Sequence, residues 1–189
     1  MAEQLQRFLL AALLLAAPAA QALQPGDPLP TLEVRKPGEI LIENGEPRFR
    51  PWQSSALGDR LHIVQYMAAR MSARNLSKPF TDRLEASGIP YSRYHISTVV
   101  DLDDALFGTR GMVLSELEKN KRKYALSTIV ADESGRGREL WGLEESSSAV
   151  IILDTAGRVL YFHQGKMQED AVQRALTLVR GDGTADSTR

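Results

Sequence analysis

The 189-residue chain contains no cysteine. Thiol–disulfide exchange needs a thiolate and a structural disulfide needs two sulfurs, so both are excluded. A lipid carried on an N-terminal cysteine is excluded as well. Stability in an oxidising compartment must therefore come from the core alone. An excess of one charge is also missing: 23 Lys and Arg stand against 24 Asp and Glu, for a net charge of −1. That balance leaves no electrostatic footprint for nucleic acid, and a 43% hydrophobic content is too high for a disordered chain. The apolar run Phe8 to Ala17 falls short of the roughly 20 residues that a membrane-spanning helix needs. Histidine is scarce, and His62, His95 and His163 show no i, i+4 pair or other metal-ligand spacing.

What is present fits one domain with a core of its own, preceded by a short leader. Arg7, the apolar run, Pro18 and then Ala20-Gln21-Ala22 have the order of a cleaved export signal. We therefore expect residues 1–22 to be removed, Leu23 to begin the mature chain and, in a bacterium, the protein to reside in the periplasm. No stable membrane insertion is expected after cleavage. The domain is expected over 23–180, and the polar stretch 181–189 is expected to be disordered.

Leu61 to Met67 reads as a strand buried on both faces, because apolar and β-branched residues dominate without alternation. The period then changes: Leu76, Phe80 and Leu84 recur every fourth residue, as along one helix face, and Ser72 is the expected N-cap. Pro79 should kink this helix or restart it, and Gly88 should cap its end. Before this unit, Thr31–Val34 and Glu39–Ile42 read as two short strands. Asn44-Gly45 turns the chain back into an edge strand over Arg48–Arg50, and Trp52–Asp59 is a connector. After it come a strand over Tyr94–Val100 and an acidic turn over 101–104. A helix over Met112–Tyr124 and a strand over Thr128–Val130 follow, then a polar turn over Glu133–Gly137. A hairpin over Val150–Phe162 and a closing helix with Val172, Ala175, Leu176 and Val179 on one face complete the chain. The predicted class is α/β: a mixed central sheet flanked by helices, with an N-terminal β-hairpin. This is a thioredoxin-like layout.

Laid on thioredoxin-like proteins, Met71, Ser72, Ala73 and Arg74 fall where the C-x-x-C motif would be, and Ser148 where the cis-proline would be. Both halves of a redox site are replaced. More specifically, Arg70-Met71-Ser72-Ala73, Asp103-Asp104-Ala105, the run Leu117 to Lys121, and Glu145 to Ala149 leading into Leu153-Asp154 occur together in order. In this the chain resembles the YtfJ family of small exported proteins. The resemblance implies a thioredoxin-like fold and a periplasmic location; it brings no established activity or catalytic residues to carry over, and no cofactor is expected.

The strand-to-helix junction is the first candidate site, since unpaired N–H groups at a helix start favour anions. Arg70 and Arg74 beside Ser72 would add positive charge for a carboxylate or phosphate; the plainer reading pairs the arginines with Asp103 or Asp104. Asp101, Asp103 and Asp104 lack the glycine and glutamate of a calcium loop, having Leu106 and Met112 at those positions. Backbone groups at Ser147 and Ser148 are a candidate edge for an extended peptide. The expected function is thus a periplasmic binding module for a peptide, protein or small anion, without thiol chemistry or nucleic acid. The alternative is a thiol-independent, metal-assisted enzyme using the same cleft.

Overall fold

The computed structural model describes residues 23–55 and 60–181. The expected export signal at 1–22 and the tail beyond residue 181 lie outside the described residues. Seven strands and four helices are described: β1 (Glu33–Glu43), β2 (Glu46–Gln53), β3 (Leu61–Ala68), α1 (Met71–Ala86), β4 (Tyr94–Asp101) and α2 (Arg110–Lys123), followed by β5 (Thr128–Asp132), α3 (Arg136–Trp141), β6 (Ser148–Leu153), β7 (Val159–Gln164) and α4 (Glu169–Arg180). They build one sheet in the order β2-β1-β5-β4-β3-β6-β7. Strands β3, β4 and β5 run parallel, and β1 and β6 join that block antiparallel on either side.

The central strands are apolar on both faces because both faces are covered. On one face Ile63, Val150 and Ile152 meet Phe80 and Leu84 of α1 and Val172, Leu176 and Val179 of α4. Farther along that face, Ile40, Val100, Ile129 and Ala131 meet Leu117 of α2. On the opposite face Val64, Tyr66, Val99, Val130 and Ile151 pack with Leu32, Trp52 and Trp141, whose indole N–H donates to the Pro30 carbonyl at 2.8 Å. No described helix is long and apolar enough to cross a membrane.

Several local expectations need correction. The two short strands before Asn44 are one strand. A register shift between Val34 and Glu39 absorbs Lys36-Pro37-Gly38, and Gly38 sits at φ +89° with the Arg50 carbonyl oxygen 2.1 Å from where a Cβ would lie. Only glycine permits that approach. The hairpin turn itself is as expected, with Asn44 and Gly45 both at positive φ. Trp52 belongs to β2 rather than to a connector; it pairs with Val34 and is buried. β2 tolerates Pro47 and Pro51 because it is the sheet's outer strand. Helix α1 is continuous through Pro79, held on both sides by buried Ser77, Phe80 and Leu84. α3 starts in the expected polar turn over Glu133–Gly137 and runs past it to Trp141, flanked by Gly135 and Gly142, both left-handed.

Candidate functional site

β3, β4 and β5 each run slightly past the expected end, and this carries polar groups to the start of α1. The junction is stitched to both neighbouring strands: Ala68 N–H donates to the Ser147 carbonyl and Ala69 N–H to the Asp101 carbonyl, each at 3.0 Å. The chain turns into the helix at Arg70, which is the N-cap and makes no side-chain capping bond. Ser72 is therefore the second helical residue, exposed on the first turn, and not the cap as expected. The helix starts two residues earlier than serine's capping preference suggests.

Arg70 turns to the acidic loop. Its Nε donates to the Asp104 carbonyl and to Asp104 Oδ1, both at 2.8 Å, and an Nη lies 2.6 Å from Oδ1. Asp104 is buried, and its other oxygen accepts the Ser146 N–H. The loop is bound from the far side by Arg138, which reaches Asp101 at 3.2 Å, Asp103 at 3.1 Å and Glu145 at 2.8 Å. Asp101 Oδ1 also accepts the backbone N–H groups of Asp103 and Asp104. Burial pushes the Asp101 carboxyl up from its ordinary value, while those N–H groups and Arg138 draw it back. Behind it, Asp132 accepts the Tyr66 hydroxyl at 3.1 Å and the Gly137 N–H at 2.9 Å. Burial, together with the charges of Asp132 and Asp101, pushes the Tyr66 phenol far up, so it remains a donor.

This clamp ties α1, the acidic loop, α3 and the loop leading into β6 into one unit. It adjoins Met71–Arg74, the stretch that the sequence resemblance lays on the C-x-x-C motif. Of the expected site residues, Arg70 and Asp104 meet each other, and the plainer pairing holds for Arg70. Asp103 is half-exposed and pairs with Arg138 and, at 3.7 Å, with Arg110. Ser148 is buried, its hydroxyl donating to Ser77 Oγ at 3.1 Å, and it follows a trans peptide, since the only cis bond among the described residues is Lys36–Pro37. The carbonyls of Ser147 and Ser148 are already taken by Ala68 N–H and Gly165 N–H, so no acceptor edge is open there. The crevice between Asp104, Arg138, Ser147 and Ser148 has no room for a water molecule. Among the described residues, no group of three or more His, Asp or Glu side chains is placed to hold a metal ion.

Space for a ligand lies on the other side of the junction. Helices α1 and α2 stand apart over β3, β4 and β5, leaving a groove of about 1040 Å³. Its floor includes Gln65, Met67, Ile96, Thr98 and Val100, and its walls carry Met71, Tyr91, Leu106, Met112 and Leu126, all of them largely exposed. Arg74 lies on its rim and spans it, 4.0 Å from Glu116 of α2, with both side chains half-exposed. Sequence reading missed the groove because Val113, Leu114 and Leu117 make α2 look like an ordinary packed helix. The one available signal was Met112 and Leu126, apolar residues that flank α2 without joining its buried stripe.

A family model described as "Bacterial protein of unknown function (YtfJ_HI0045)" matches residues 23–182. An uncharacterized protein of Haemophilus influenzae is 31% identical over 162 residues, which cover 86% of this chain and 88% of that protein. An uncharacterized protein YtfJ of Escherichia coli is 30% identical with the same coverage. Among solved structures, the thioredoxin domain of a thiol-disulfide oxidoreductase from Bacteroides vulgatus superposes with a TM-score of 0.54 at 13% identity, covering 84% of this chain and 99% of that one. The fold is thioredoxin-like; the redox cysteines are absent.

Proposed function

This chain belongs to the YtfJ_HI0045 family of bacterial proteins of unknown function, and from that premise we propose that it is exported to the periplasm and acts there as a binding module for a peptide or protein segment. Export is supported by the signal-like order of residues 1–22 and by the family match, which begins at residue 23. Leu23 is buried in the core, so cleavage after Ala22 would leave the packed domain whole.

One observation carries the binding reading: a groove of about 1040 Å³ opens against the first turn of α1 and is walled by exposed apolar side chains. Sites of this size that combine apolar walls with a few polar groups are the usual place for recognition. A small anion has the weaker claim, because the Arg70 charge is already offset by Asp104. Arg74, half-exposed and 4.0 Å from Glu116, can exchange that partner for a carboxylate on the ligand.

Titration with 1-anilinonaphthalene-8-sulfonate, an apolar anion, tests the groove in the chain 23–189. Saturable fluorescence enhancement is expected, weakened at least tenfold by Met112→Glu and less strongly by Arg74→Glu. Unsaturable enhancement, or enhancement that Met112→Glu leaves unchanged, overturns the reading. Export is tested by fusing residues 1–30 to a reporter enzyme that is active only outside the cytoplasm; an inactive fusion overturns that part.

A further inference from the structure

Met67, Met71 and Met112 all line the groove, from β3, from the first residue of α1 and from α2. The fourth methionine among the described residues, Met167, is buried in the core beside α4. Methionine is ordinarily one of the most buried side chains, yet Met71 is 68% and Met112 76% exposed. Every accessible thioether among the described residues therefore lines one cavity, and the sequence holds no cysteine to consume an oxidant first.

We propose that Met71 and Met112 are an oxidation site that controls the groove: a peroxide converts them to methionine sulfoxide, and the groove then loses affinity for apolar ligands. The proposal rests on the reading of the groove as the binding surface and adds how that surface is regulated. In each oxidation a sulfur lone pair attacks one peroxide oxygen and the O–O bond breaks. The sulfur keeps that oxygen and gives up two electrons, while the second oxygen takes both protons and leaves as water. Reaction follows access to the sulfur, so Met71 and Met112 come first, half-buried Met67 follows, and Met167 is protected. Before oxidation the unbranched, polarizable thioethers adapt to the shape of what they cover. Afterwards each carries an oxygen that water solvates, and an apolar ligand laid over it would strip that hydration without replacing it. Neither residue belongs to a core cluster, so oxidation changes the walls of the groove and leaves the packed domain as it was.

Timed treatment of the chain 23–189 with hydrogen peroxide tests this, with peptide mass spectrometry locating each added oxygen and the dye titration reading the groove. Met71 and Met112 are expected to oxidise at least about tenfold faster than Met167. Dye affinity is expected to fall about fivefold on the same time course, as the loss of roughly one buried methylene's worth of apolar contact implies. The thermal midpoint should stay near that of the untreated chain. The paired variant Met71→Leu with Met112→Leu, set against its own untreated affinity, is expected to lose nothing on treatment. Undiminished affinity once both residues carry oxygen overturns the proposal, as does a loss that follows oxidation of Met167 or recurs in the paired variant. The dye also separates this failure from failure of the groove. If Met112→Glu weakens dye binding and oxidation does not, the groove reading stands and its control by peroxide is wrong. If dye binding ignores Met112→Glu, the groove reading has failed and the inference falls with it.

Discussion

Arg70 and Asp104 hold each other across the mouth of the strand-to-helix junction, the guanidinium meeting both the carboxylate and the backbone carbonyl of the same residue. Asp104 is buried and Arg70 is one-third exposed, so the pair is only partly shielded from water. Removing one partner leaves the other charge in a site built to neutralise it, and such truncations cost about 3–5 kcal/mol when the pair is fully buried. Asp104→Ala, which also strips the acceptor from Ser146 N–H, is expected to cost roughly 3 kcal/mol, at the lower end of that range. The double variant Arg70→Met with Asp104→Leu should recover part of this. Urea midpoints at constant m-value check both; equal losses for the single and double variants would refute the idea of an uncompensated charge.

Gly137 is required by its neighbours rather than by its backbone angles. A Cβ there would lie 2.3 Å from Tyr66 Cε2 and 2.8 Å from Leu32 Cδ2. Tyr66 cannot yield freely, because its ring packs edge-on against Trp141 at 5.8 Å and its hydroxyl is committed to Asp132. Gly137→Ala is expected to destabilise by about 1–3 kcal/mol, the cost of overpacking. Gly111→Ala makes the contrast: nothing lies within 4 Å of the added carbon on exposed α2, and a gain of about 0.5 kcal/mol is expected. Thermal midpoints of the two variants should move in opposite directions.

The parts of this molecule that the sequence made legible are those where local pattern and burial agree. β3 is covered on both faces and reads as an unbroken apolar run, and Asn44-Gly45 makes its turn from its own backbone preferences. The continuity of β1 was hidden, because it depends on Gly38 lying against Arg50 of the next strand. α3 was hidden because six residues are fewer than two turns, too short for a period to show. At the site, Arg70 and Asp104 were visible as candidates. Arg138 was not, and Glu145 was read only as part of the family pattern, because both matter only where tertiary folding brings them together. The groove is a failure of two helices to meet, and no single stretch of residues encodes that.

Gln65 lies under the groove with its amide only half used. Its Oε1 accepts the Thr98 hydroxyl at 3.4 Å, and its Nε2 is buried without a partner. Exchanging the two amide atoms would leave the other one unpaired, so either orientation strands a polar group. Gln65→Met keeps the side chain's length while removing that group. It is expected to leave stability unchanged or raise it by up to about 1 kcal/mol, where an ordinary buried glutamine would lose that much. A loss above about 1 kcal/mol in urea unfolding would mean that the amide has a partner in solution.

His62 should make stability depend on pH in the mildly acidic range. It is buried, with Nε2 2.7 Å from Ser97 Oγ, Nδ1 without a partner, and the His95 ring edge-on at 5.2 Å. Burial lowers its pKa from 6.5 to about 4, with smaller contributions from the neighbouring His95 and Arg60. The folded pKa thus lies below the unfolded one, so between these values the unfolded chain binds the extra proton. Stability is present in full above about 6.5, falls as the pH drops towards 4, and stops responding to this group below that. The full span is on the order of 3 kcal/mol. Carboxylates titrate in the same range, so the contribution is isolated by difference: His62→Gln keeps a polar partner for Ser97 and removes the titration. The gap between wild type and variant in urea midpoint should narrow as pH falls from 7 to 4, and proton NMR should place the His62 ring transition near 4. A constant gap, or a ring that titrates at its ordinary value, would show that the imidazole is hydrated in solution.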